Sequence, residues 1–152
     1  MSNMAEIENL KVEIEKINAR FAALHAAALT IDFPAARIEL LPGEHYAGEI
    51  LGEDGRPCYR LVLIGGEAVD VTFDAAGAWA KEKGGELPDR REQSLLYANL
   101  KSLFQSAWYW SSEQPADYPD FAWVQGFGDG GQGYGRESDQ YRAVAVRSLI
   151  IQ

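Results

Sequence analysis

The chain has 152 residues, enough for one domain with a real hydrophobic core. Its formal net charge of -9 sets it against phosphate backbones and anionic bilayers, so neither nucleic acid nor membrane insertion is expected. One cysteine, Cys58, excludes an intrachain disulfide and leaves stability to packing.

The first element is a helix over residues 3–29. Asn3 and Glu6 fit a capping box. Ile7, Leu10, Ile14, Ile17, Phe21, Leu24 and Ala28 follow at alternating steps of three and four, so every a and d position of a heptad is apolar. A seam this narrow predicts a coiled coil rather than a helix lying on its own domain. Ile at two a positions and one d position favours a parallel homotrimer, with Glu6 and Lys11 at g and e positions that can bridge neighbours. Pro34 stops the segment, and residues 30–35 read as a linker to a domain over 36–152. The charged, amphipathic start carries no signal-peptide pattern, so synthesis in a cytoplasm is expected.

Strands are predicted next. Residues 37–40 (Arg-Ile-Glu-Leu) alternate, and residues 46–51 read as a strand before the turn-rich loop 52–55. Residues 58–64 and 68–73 read as two strands joined across Gly65-Gly66, a hairpin turn. Cys58, inside the first of these, is expected to be a small buried hydrophobe. Asp74 would cap a short helix over 75–83 around Trp79.

A tight corner follows. Gly84-Gly85 suits a helix C-terminus, and Pro88 pushes Leu87 toward an extended conformation. Asp89 and Glu92 form a capping box for a helix over 90–104, with Leu95, Leu96, Leu100, Leu103 and Phe104 as its apolar stripe. Beyond it the texture changes. Nine aromatic residues fall between Trp108 and Tyr141, and six of the ten residues 126–135 are glycine. Residues 141–150 read as a closing strand.

The runs GGELPDRREQSLLYANL, WYWSSE, AWVQGF and RAVAVRSL occur in this order, and over residues 43–149 the chain resembles the C-type-lectin-fold domains of phage and prophage proteins. The same family stands at the C-terminus of the Legionella collagen-like adhesin, and the wider fold includes the phage major tropism determinant and the formylglycine-generating enzymes. The resemblance implies an α+β, C-type-lectin-like fold behind the N-terminal coiled coil. It also implies a last strand that returns beside the first, and a ligand face on the C-terminal sheet.

Catalytic chemistry has little support. Formylglycine generation needs a cysteine pair, and only Cys58 is present. His25 and His45 lack zinc spacing. The sugar-binding calcium loop of C-type lectins is broken at Ala116 within Glu113-Gln114-Pro115-Ala116-Asp117, so no metal or other cofactor is expected, although Asp117, Asp120 and Asp129 carry oxygen ligands. Ser111 and Ser112 read as hydrogen-bonding strand-end residues, and Arg90 and Arg91 as surface pairing residues.

The interleaving of aromatic and polar side chains is the positive signal, because rigid rings with adaptable polar groups make binding surfaces. The candidate ligand-binding residues are Tyr118, Trp123, Gln125, Asp129, Gln132, Tyr134, Arg136, Asp139 and Tyr141. The expected role is a trimeric phage or prophage receptor-binding protein, located in the virion tail, that contacts a host surface protein or glycan and possesses no enzyme activity. The alternative is a structural or decorating subunit docked among other tail proteins through its helix.

Overall fold

The computed structural model describes residues 2–26, 33 and 35–151. The chain divides into two compact units, Met1–Phe33 and Pro34–Gln152.

The first unit contains α1 (Ser2–Ala26). The helix begins at Ser2, so Asn3 lies inside its first turn and does not act as the expected cap. Ile7, Leu10, Ile14, Ile17, Phe21 and Leu24 are 48–73% exposed, an uncovered apolar stripe along the helix. Lys11 pairs with Glu8 on its own helix at 3.4 Å. Ala28 and most of the expected linker lie outside the described residues.

The second unit is a mixed α+β domain. Its elements are β1 (His45–Leu51), β2 (Pro57–Val71), α2 (Phe73–Glu82), α3 (Arg90–Leu100), β3 (Trp108–Trp110), β4 (Phe121–Gly126), β5 (Gln132–Arg136) and β6 (Tyr141–Ile150). The strands form one six-stranded sheet in the order β1-β2-β6-β3-β4-β5. All neighbours are antiparallel except β3 and β6, which meet through one parallel pair, Tyr109 with Arg142. The closing strand therefore lies beside the second strand of the domain rather than the first. β1 is an added edge outside β2.

Alternation along β6 sends its residues to two opposite cores. Ala143 and Ala145 pack with Ala76 and Ala80 of α2, Leu87, Trp110 and Val124. Val144 and Val146 pack with Leu96 of α3, Leu61, Leu63, Tyr109 and Phe127. The sheet thus carries one helix on each face. Small alanines on the α2 side let that helix sit close, while larger side chains fill the α3 side.

Five local expectations are corrected. Residues 35–42 form no strand. Arg147 reaches across from β6, binds Glu44 through two bonds of 2.8 and 2.9 Å, and donates to Glu39 O at 3.1 Å, so a side chain holds this segment where no ladder does. Gly65-Gly66 is not a turn between two strands. β2 runs straight through, and the pairs Ile64–Ala145 and Ala68–Ala143 show two extra residues bulged out on β2. The bulge needs glycine, because Gly66 has φ +91 and a Cβ on Gly65 would lie 2.8 Å from Gly43 O. Cys58, near the start of β2, is exposed rather than buried. Thr72, not Asp74, caps α2, accepting from Ala75 N at 3.4 Å. α3 also ends earlier than expected, at Leu100, and continues as a 3-10 turn over Lys101–Leu103.

The corner at 84–92 forms as its residues dictate. Gly84 adopts φ +88 and stops α2. Gly85 lies so close to β6 that a Cβ would collide with Val146 O and stand 2.6 Å from Ile64 Cδ1. Glu86 and Val146 exchange both backbone bonds, at 3.0 and 2.8 Å. Asp89 accepts from Glu92 N and Glu92 accepts from Asp89 N, both at 2.8 Å. Ser112 N donates to Pro88 O at 2.9 Å, tying the corner to the end of β3.

Asp89→Ala should cost about 1 kcal/mol through loss of this cap. Gly85→Ala should cost more, about 1–3 kcal/mol, because rigid backbone opposes the new methyl group. Urea denaturation of both variants checks the order.

Candidate ligand-binding face

The candidate site grows from the β4–β5 ribbon. The register pairs Phe121 with Arg136, Trp123 with Tyr134 and Gln125 with Gln132. Alternation places all six side chains on one face, which is the α3 side because Gln125 faces that helix. Ala122 and Val124 point the other way, into the α2 core.

The two ends of this face differ. At one end α3 covers the ribbon. Gln125 is 1% exposed, donates to Gln93 O at 3.3 Å and accepts from Gln132 Nε2 at 2.8 Å. Gln132 also donates to Arg90 O at 2.9 Å and accepts from Arg90 Nε at 3.1 Å. Both glutamines are therefore committed to docking α3 onto the ribbon. Gln125, sealed beneath the helix, presents nothing to a ligand.

Beyond the N-terminus of α3 the face opens, and four aromatic side chains form a ladder. The Trp123 and Tyr134 rings meet edge to face at 4.6 Å. Tyr118, carried by the loop before β4, lies 5.6 Å from Tyr134 at a 30° tilt. Phe121 stands edge-on to Tyr118 at 5.9 Å. Each end carries a guanidinium. Arg90 lies over the Trp123 ring at 3.5 Å, and Arg136 lies over Phe121 at 5.5 Å. Tyr118 and Tyr134 remain 50% and 46% exposed.

The remaining expected residues do not join this ladder. Asp139 accepts from Arg136 N at 3.1 Å and from Tyr141 OH at 3.4 Å, so it shapes the β5–β6 turn. Tyr141 packs edge-on against Trp110 at 4.9 Å in the α2 core, and its ring covers Gly135. Burial, with Asp139 beside it, raises its phenol pKa. Asp129 sits at the β4–β5 hairpin, the far end of the ribbon from Arg136, where it accepts from Gly131 N at 2.9 Å. Two ladder members were not among the expected site residues. Phe121 shares the parity of Trp123, a signal legible in the alternation of 121–126. Arg90 had no such signal, since it reaches Trp123 only after the corner has folded.

The ladder offers flat apolar rings, phenolic hydroxyls and stacked guanidinium groups. It suits recognition by stacking and hydrogen bonding. Among the described residues, no three or more His, Cys, Asp or Glu side chains group to hold a metal ion, and no helix is long and apolar enough to cross a membrane. No protein-family model and no curated protein matches this chain.

Two carboxylates elsewhere in the domain carry opposite pH signatures. Glu92 accepts from Tyr59 OH at 2.8 Å, and burial raises its pKa above the ordinary 4.5. The folded state then holds the Glu92 proton more tightly, so its contribution is full below 4.5 and is lost as pH rises through the folded value. The Arg147 hydrogen bond lowers the Glu44 pKa, so that contribution is present above 4.5 and is lost as pH falls through the folded value. Relative to the unsubstituted protein, Glu92→Gln should gain stability from about pH 4 to pH 7, whereas Glu44→Gln should be most destabilising at neutral pH. Denaturant titrations across that range would show the two opposite slopes.

Proposed function

We propose that this chain is a ligand-recognition protein with a C-type-lectin-like domain, presented by a parallel trimer of α1 helices. It serves as a phage or prophage receptor-binding protein of the virion tail, and its ligand is a host surface protein or glycan. The observation that carries this reading is the open ladder, with Tyr134 of the β4–β5 ribbon and Tyr118 of the preceding loop half exposed and packed against each other. Exposed, pre-ordered tyrosines give large contact area at low entropic cost, which is why they dominate binding surfaces. The lectin-like reading is supported by the helices on opposite faces of the sheet and by the closing strand set in the middle of it. The trimer is supported by the exposed stripe from Ile7 to Leu24. Most helical stability in proteins comes from packing an apolar face, and partner helices would bury this seam. Three copies would also raise avidity for a repeated ligand with no new contact.

Sedimentation equilibrium should return three times the 16.8 kDa chain mass, and Ile14→Asp with Ile17→Asp should return the monomer with the domain still folded. A monomer before substitution would favour the alternative, in which α1 docks this chain as a decorating subunit into another assembly.

Binding to bacterial surfaces and glycan arrays should fall by more than about tenfold in Tyr118→Ala with Tyr134→Ala, with an unchanged melting temperature. Undiminished binding by that folded double variant would move the ligand off the ladder.

A further inference from the structure

The opposite face of the same strands carries a second feature. Trp108 pairs with Gly126, and Trp110 with Val124, which places Trp108 on the α2 side. Unlike Trp110, which is sealed in the core, Trp108 is 43% exposed. Its indole forms one wall of a groove of about 250 Å³, lined further by Ser106, Ala107, Gly126, Gly128 and Asp129.

The groove is built by what its floor lacks. A Cβ on Gly126 would lie 3.3 Å from Trp108 Cζ3 and 3.4 Å from Asp129 Oδ1. One methyl group would therefore touch both the indole and the carboxylate, so the two walls face each other across the bare glycine. Asp129 spends Oδ1 on Gly131 N, which fixes the carboxylate at the hairpin tip. Among the described residues, no cationic side chain lines the groove. A fixed carboxylate beside an exposed indole, in a chain of net charge -9, selects a cation with a flat face. A neutral sugar can stack on the indole as well, but only a cation also gains from the charge of the carboxylate.

We propose that this groove receives the guanidinium group of an arginine side chain from a partner protein, stacked on Trp108 and hydrogen-bonded to Asp129. The guanidinium meets both walls at once, because its edge donates in a fork while its plane stacks. The site lies across the strands from the aromatic ladder and does not depend on the ladder as a binding face.

The test uses N-acetylarginine amide as probe and N-acetylcitrulline amide, its uncharged isostere, as control. Binding is followed through the indole NH signals of the four tryptophans in the full chain, with Trp108→Phe identifying the relevant one. The arginine probe should shift the Trp108 signal saturably, at least about tenfold more tightly than citrulline. Asp129→Asn should reduce arginine to the citrulline level, and Gly126→Ala should weaken both probes by filling the groove. Tyr118→Ala with Tyr134→Ala should leave the titration unchanged, so this site and the ladder can fail separately. Equal binding of the two probes, wild-type binding by folded Asp129→Asn, or no saturation by about 100 mM would overturn the proposal.

Discussion

The fold depends on how closely the corner after α2 approaches β6. β3 is only three residues long and pairs with β6 at Arg142 alone, which leaves the later part of that β6 edge open. A buried strand edge with unpaired N–H and C=O groups is costly. Glu86 closes it by exchanging two bonds with Val146, and Gly85 makes this possible because it has no side chain to hold the backbones apart. Leu87 then falls into the α2 core, and Pro88 accepts from Ser112 N. One segment therefore joins α2, β6 and the end of β3.

That constraint reaches the candidate face through α3. The corner sets where Asp89 and Glu92 begin the helix, and Arg90 is its first residue. From there Arg90 lies on Trp123 and bonds to Gln132, while Gln132 in turn holds the buried Gln125. Trp123 supports Tyr134, and Tyr134 supports Tyr118. The exposed rings stand on a chain of packed contacts that ends at the buried Gln125, so ordering them costs little at the moment of binding. The ribbon also separates two chemistries. Aromatic side chains project on the α3 side, and on the α2 side glycines leave an open floor beside Trp108.

How much of this was legible in the sequence follows from how local each signal is. The corner was legible because every part of it is a short-range rule: glycine at a helix end, proline before a cap, and a carboxylate three residues beyond the cap. Gly65-Gly66 misled for the same reason. Two glycines between apolar runs satisfy a hairpin rule, but here they let β2 bulge past Gly43, a partner more than twenty residues away. Residues 37–40 alternate like a strand, yet a strand needs a free neighbouring edge, and Arg147 holds them instead. Within the candidate face, parity alone grouped Trp123 with Gln125 and Tyr134 with Gln132. Nothing local showed that α3 would cover the glutamine end and leave the tyrosine end open. Tyr141 and Asp139 share composition with the ladder, but the β5–β6 turn directs them elsewhere.

The central claim is that the Glu86–Val146 bridge belongs to the cooperative core and is not a surface turn resting against it. Native-state hydrogen exchange measures this directly. The amides of Glu86, Val146 and Ser112 should exchange only through global unfolding, with the same opening free energy as Leu61–Leu63 and Ala143–Ala145 at the centre of the sheet. Exchange of those three amides through a local opening, while the central strands stay protected, would contradict the account.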